Sequence, residues 1–584
     1  MMIYSSFLQR RHCMRLFGFC TFILLFVGAF SASAQDSIMF RGTPTHTGEV
    51  SAAIKLPMAL SWRYVTGRPI SGVTTSYNLS SPIIVGTDTP NPMMYFGSKD
   101  VLVAVSTNTG EAKWFYPQTG SIGLQGKTAT IRTTPVYYNG FVYVAATDGN
   151  LYCINAETGA LTWHTQLGGA VNSSPILVDG VLYFGADDGG LYAIDARTGQ
   201  SIRPPGPIFR ASDSIVGSPA YADGMLFFIS RDQFAYAVDL AKLLALQPRQ
   251  SQMRAVKWRY SMSVSAITAS PVVANGNVYL VDGANLVCLT ANRGRVRWRY
   301  QADRAITNTP AVTEQGIFFG TKSDDTVALT PEGRLKWKAK MAASSYASPV
   351  VVRLEGVTRQ TPTGPQPAYA VVVGSNRGFI YVFDTEAPPG SEEGKLLWNY
   401  RIRATTISPS AASTTTATTA GPGQYANVIA SPVVVNGAIY ALSDDGTLHC
   451  FRSDEEDHTP PLVYGELPAR GQEMSGAPPI WFAAYILDEG SGIDPDSLDF
   501  QLDGETMPDY KYDEYRGLVY YRIAARPKNR NTAAEPVKPL ADGRHTVTLK
   551  VADWKGNKVE WTWTFIVDNT LPPSKPRVET PSPQ

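Results

Sequence analysis

The thiols, imidazoles and carboxylates of this chain are the groups that would carry redox, metal or acid–base chemistry, and their spacing argues against most of it. Once Cys13 and Cys20 leave with an N-terminal segment, Cys153, Cys288 and Cys450 remain, an odd number far apart in sequence, so disulfides are not the framework. His46, His164, His449, His458 and His545 show no metal-ligand spacing to one another or to a cysteine, and neither Gly-x-Ser-x-Gly nor a phosphate loop occurs. Asp148, Asp187, Asp188, Asp444 and Asp445 recur in Asp-Gly and similar turns, where Asp and Gly meet backbone requirements, and the turn role is the expected one. Asp488, Asp494, Asp496 and Asp553 are carboxylates of the type that Ca²⁺ collects several at a time. The run "SDEEDH" at 453 to 458 reads as a cation ligand set or, more simply, as an acidic linker between domains. The expectation is no catalytic, metal or cofactor-binding residue.

These residues are positioned by a repeat. The stretch "LYAIDARTGQ" from Leu191 restates "LYCINAETGA" from Leu151. Aligning on the small residue gives eight slots, at Ala104, Cys153, Ala193, Ala237, Cys288, Ala328, Val382 and Cys450. Each is preceded by a Ser-Pro or Thr-Pro that opens an apolar run. Between these landmarks, β-branched and aromatic runs alternate with Asn-Gly and Asp-Gly turns, which makes three strands per unit. A fourth strand is marked by Trp114, Trp163, Trp258, Trp298, Trp337 or Trp398, whereas the third unit reads "SIRPPGPIF" and lacks it. Four strands at a period of roughly forty residues predict an all-β, eight-bladed propeller, which must close on itself to hide its strand edges. One more tryptophan strand stands ahead of the first unit, at Trp62, and is expected to complete the eighth blade beside Cys450.

The pattern in "AIDARTG" and "CINAETGALTW", with the leader "IMFRGTPTHTG" from Ile38, resembles the repeat of the quinoprotein (PQQ-like) propellers over about residues 36 to 458. In that family the tryptophan docks between blades on the small slot residue and a turn glycine, which implies a blade-docking role for Trp62, Trp114, Trp163, Trp258, Trp298, Trp337 and Trp398. The family includes quinone-dependent dehydrogenases and cofactor-free scaffolds such as the BamB-like branch. Its dehydrogenases carry an adjacent Cys-Cys pair near the quinone and acidic and amide ligands for Ca²⁺. No Cys-Cys occurs here, so the resemblance points to the non-catalytic branch, with neither PQQ nor its calcium.

The chain of 584 residues is 44% hydrophobic with a formal net charge of +1, a globular composition without the overall field that nucleic acid or an anionic membrane would need. Arg10, Arg11 and Arg15, a short apolar run and "SASAQ" form a secretory signal over residues 1 to 34, leaving no transmembrane segment in the exported product. The propeller is expected over 35 to 458. Residues 462 to 569 alternate in short strands and resemble a bacterial immunoglobulin-like β-sandwich, and 570 to 584 form an extended tail. The function expected is a binding scaffold for an envelope or extracellular protein. A PQQ-dependent dehydrogenase with an unusual site and a carbohydrate-binding extracellular protein stay open as alternatives. Recognition is expected on one face around the channel mouth, where loops carry Arg132, Asn172, Asp213, Asn308 and Arg377 beside Asp148, Asp188 and Asp445.

Overall fold

A computed structural model describes residues 36–66, 80–124, 129–203, 206–247, 250–265, 269–408, 416–419, 424–524 and 537–573. The signal segment and most of the C-terminal tail lie outside these residues. Eight antiparallel sheets follow one another along the chain, each built as an up-and-down meander. The second blade is typical, with Val136–Tyr138, Phe141–Ala145, Asn150–Asn155 and Leu161–Gln166 adjacent in that order. The two middle strands are buried on both sides because a blade is covered by a neighbour on each face, so their β-branched and aromatic residues run nearly continuously. Asn139-Gly140, Asp179-Gly180, Asp223-Gly224, Asn275-Gly276 and Asn436-Gly437 join first to second strands with both residues at positive φ. That is the type I′ geometry whose twist suits a two-residue hairpin.

The ring closes through the N-terminus. Strand Ala59–Val65 lies antiparallel on Thr447–Arg452, with Trp62 opposite Cys450. In the same register, Trp114 faces Ala104, Trp163 faces Cys153, Trp258 faces Ala237, Trp298 faces Cys288, Trp337 faces Ala328 and Trp398 faces Val382. A tryptophan across a strand pair leaves little room for its partner, which accounts for small residues in nearly every slot.

One feature departs from the expectation. The third blade does have a fourth strand, a two-residue one at Phe209–Arg210 that pairs with Gly190 and Leu191. After Asp239 the chain forms helix Leu240–Ala245, capped by the Asp239 carboxylate and anchored by buried Leu243. The first hairpin of blade seven is unusually long, Val350–Thr361 with Gly364–Gly374.

The leader does more than precede the ring. Tyr137, Tyr221, Val273, Val312 and Val351, on the inner strands of blades two, four, five, six and seven, donate their amides to the carbonyls of Ile38, Pro44, Thr45, Thr47 and Gly48. Residues 37 to 48 thus thread the inner edges of the blades, and Glu49–Ile54 then adds a parallel fifth strand to blade seven. Met39, Phe40 and His46 are buried on the axis. Arg41 donates to the carbonyls of His46, Thr47, Thr309, Pro310 and Pro349, and burial lowers its pKa to about 9.

Past Arg452, two further sheets stack into a β-sandwich around Phe482, Phe500, Val519, Trp563 and Phe565. One sheet contains Leu462–Leu467, Ile480–Leu487, Leu518–Ile523 and Lys511–Asp513; the other is built on Ile493–Leu502, Gly543–Asp553 and Lys558–Val567.

Candidate functional site

Among the described residues, the loops from outer strands to the next inner strands meet the loops joining second and third strands in blades two to four. In blade two, Thr130 and Thr147 exchange hydrogen bonds between them. At blades three and four, Asn172 Nδ2 donates to Asp187 Oδ2 at 3.0 Å and Ser214 Oγ to the Asp187 carbonyl at 3.0 Å. These loops form one polar face around the leader-filled axis.

The aspartates on this face are turn elements. Asp148 accepts from the Asn150 amide at 3.1 Å and from Tyr152 OH at 2.5 Å. Asp188 repeats this with Gly190 and Tyr192 and adds Arg210 at 3.3 Å. Asp232 repeats it with Phe234 and Tyr236. Asp445 accepts from Ser443, Thr447 and Thr405. An Asp whose carboxylate spans the turn amide and a tyrosine four residues on has its oxygens committed to the hairpin.

One expected face residue is not available to a ligand, and a second stays exposed but packs on the sandwich. Asn308 is buried between blades, with its amide donating to Ser345 and Ala347 and its oxygen accepting from Gly320. Arg377 lies over the ring of Tyr515 of the sandwich, 4.2 Å from its centroid. Spacing places a residue in a loop but does not reveal what covers it. Asp213 is exposed, Asn172 half-buried, and Arg132 half-buried with its Nε enclosed and unpartnered.

Tyr515 belongs to a seam that sequence reasoning missed. Glu514, between sandwich strands Lys511–Asp513 and Leu518–Ile523, accepts from Tyr381 OH at 3.2 Å and from the Asn399 side chain, both on blade seven. Burial pushes its carboxyl up to about 7. Arg401 lies over the rings of Phe379, Tyr425 and Tyr515, and Arg403 pairs with Glu489. Trp554 Nε1 donates to Asn399 Oδ1 at 2.9 Å.

The seam also resolves a topological gap. In six blades the tryptophan sits on a turn glycine of the following blade: Trp62 on Gly110, Trp114 on Gly159, Trp163 on Gly199, Trp258 on Gly294, Trp298 on Gly333 and Trp337 on Gly394. In five of them the indole N–H donates to a carbonyl of that blade, for example Trp114 to Ala156 at 2.9 Å and Trp337 to Thr385 at 3.0 Å. Blade eight has no such turn, because its outer strand comes from the N-terminus. Trp398 donates instead to the Ser491 carbonyl of the sandwich at 3.1 Å, and the Leu60 amide donates to Gly490 O at 2.9 Å. The loop 488 to 492 takes the place of the missing turn.

A family model described as outer membrane protein assembly factor BamB matches residues 97–202 and 245–462, together more than half of the chain. The chain belongs to the BamB family. BamB of Escherichia coli K12 is 24% identical over 220 residues, 30% of this chain and 52% of the relative, so the chain spans about half the length of that protein. A quinohemoprotein alcohol dehydrogenase of Comamonas testosteroni is 34% identical over 103 residues, 16% of this chain and 14% of that one. Among solved structures, BamB from Moraxella catarrhalis aligns with a TM-score of 0.32 at 12% identity, covering 69% of this chain and all of that one.

The dehydrogenase relative makes the fit of a quinone worth testing on this BamB-family chain's own residues. Cys153, Cys288 and Cys450 are buried free thiols in blades two, five and eight, their pKa values raised by burial to about 12, 11 and 11. Among the described residues, the group of carboxylates close enough to share a cation lies outside the propeller, at Asp457, Asp488 and Asp553. The leader's Phe40 and His46 are buried, and Arg41 bonds the carbonyls of Pro310 and Pro349 in blades six and seven. No helix among the described residues is long and apolar enough to cross a membrane.

Proposed function

We propose that this BamB-family protein is an exported, non-catalytic propeller that holds a protein partner of the cell envelope on the loop face of blades two to six, without a quinone cofactor. The observation that carries the reading is the axis: the chain's own leader threads the inner edges of the blades, so recognition falls to the loop surface around it. On that surface the blades are uniform and the loops differ, which is how a fixed scaffold carries a specific recognition face. The sandwich packs on blade seven through Tyr515 and Glu514 and meets the closing strand of blade eight at Leu60.

The test is capture of a partner from the organism's envelope fraction by the immobilised full-length protein. Asp213→Lys with Arg304→Glu changes two exposed loop residues of blades four and six. That double variant is expected to lose most of the capture while melting as the parent does. Full capture by it, together with loss on deleting residues 462 to 584, would move the site to the sandwich. Stoichiometric retention of PQQ with Ca²⁺ and dye reduction on alcohols would replace the reading with an oxidoreductase.

A further inference from the structure

We propose that Asp457, Asp488 and Asp553 form a calcium-class divalent cation site at the joint between propeller and sandwich. Asp457 lies in the acidic linker, Asp488 follows strand Ile480–Leu487 and Asp553 ends strand Gly543–Asp553. Each offers a carboxylate oxygen, and the three oxygens lie within 4.8 Å of one another. Oxygens bound to one Ca²⁺ at about 2.3–2.6 Å sit at most about 5 Å apart, so this spread suits a single ion.

The hydrogen bonding leaves the right atoms over. Asp488 is 9% exposed, and its Oδ2 accepts from the amides of Gly490, Ser491 and Gly492 at 3.1, 2.9 and 2.6 Å. Its Oδ1 is buried without a partner, and so is Oδ2 of Asp457, whose Oδ1 accepts from the Thr459 amide. Asp553 is held by the amide and side chain of Asn557, and the same Asn557 side chain donates to the Asp457 carbonyl at 2.8 Å. Among the described residues no Lys, Arg or His pairs with any of the three. Buried carboxylates facing one another without a cation are costly, and ligation is the usual remedy. Burial and the neighbouring carboxylates raise Asp488 to about 7 and raise Asp553. Gly490 lets the Asp457 carboxylate approach, since a Cβ there would fall 2.2 Å from its Oδ2.

The site has a structural consequence. The amides that hold Asp488 belong to the loop whose carbonyls receive Trp398 and Leu60. An ion on Asp488 therefore ties the linker, the sandwich and the loop that completes the ring. Asp494 and Asp496, which the sequence also offers, stand apart: Asp494 accepts from the Asp496 amide and neither joins the cluster.

Calorimetric titration of Ca²⁺ into chelator-treated full-length protein should show one site per chain, with a rise in melting temperature on adding Ca²⁺. Asp457→Asn should weaken binding at least tenfold, a loss set by the missing ligand charge. In chelator that variant should melt at or above the parent, because it removes repulsion, which separates lost ligation from lost folding. Asp494→Asn should bind as the parent does. No heat and no thermal shift at about 10 mM Ca²⁺, beyond the range of weak extracellular modules, would overturn the proposal, as would undiminished binding by Asp457→Asn.

Discussion

Trp337 and Trp398 hold the same position in neighbouring blades and are both fully buried. Trp337 sits on Gly394 and donates to Thr385, residues of the next blade. Trp398 finds no turn beside it and donates to Ser491, ninety-three residues on and in another domain. The repeat therefore specifies each joint only as far as it continues. Where the two chain ends meet, the eighth blade borrows a strand from the N-terminus and a loop from the sandwich.

Replacing these two residues tests that comparison with the largest expected effect. Trp337→Ala and Trp398→Ala should each cost about 3–5 kcal/mol as buried large-to-small changes. Only Trp398→Ala should also free the sandwich, making the linker at 453 to 461 sensitive to limited proteolysis. Equal protease resistance in both would mean that the seventh joint does not depend on the sandwich.

A smaller effect probes the regular joints. Gly333 and Gly224 have similar positive φ values, 82° and 77°, but a Cβ at Gly333 would fall 2.5 Å from the Trp298 ring while Gly224 faces open space. Alanine at either should cost about 1–2 kcal/mol for the left-handed backbone. Gly333→Ala should lose a further ~1–3 kcal/mol from overpacking. Denaturant midpoints that fall equally would contradict the seating of tryptophan on glycine.

The smallest effect is pH-dependent and confined to the seam. Burial raises the Glu514 carboxyl from 4.5 to about 7, so the folded protein holds that proton more tightly than the unfolded chain. Its contribution is complete below about pH 4.5 and is lost as pH rises to about 7, with no further change above. His449, lowered by burial to about 4, acts in the other direction and loses stability as pH falls below 6.5. Glu514→Gln should therefore melt above the parent at pH 8 by a margin that shrinks toward pH 5, measured in chelator. Parallel pH curves for the two proteins would show that Glu514 is not buried as described.

The eight blades were legible because each carries a Pro-led apolar run and a slot residue that is small in nearly every blade, and most add an Asn-Gly or Asp-Gly turn and a tryptophan. Trp62 was legible for the same reason, being a stray copy of a repeated unit. The leader was not, since "GTPTHTG" reads as a loop and its backbone is held largely by the inner edges of other blades. "EVSAAI" gave too short an alternation to announce a parallel strand on blade seven. Of the cation cluster, sequence offered Asp488 and Asp553 together with Asp494 and Asp496, and separately the acidic run with Asp457. Only the fold sorts them, by bringing a linker residue to two strand ends. Glu514 and Arg401 carried no motif, because what distinguishes them is burial by the facing domain.

Hydrogen exchange at the Leu60 amide in the intact chain tests the borrowed joint most directly. This amide lies on the closing strand and donates to Gly490 O at 2.9 Å. It should exchange as slowly as amides in the third strands of internal blades, such as those of Asn285–Thr290. Exchange of Leu60 at the rate of an open strand edge would contradict the account, because the sandwich would then not complete the ring.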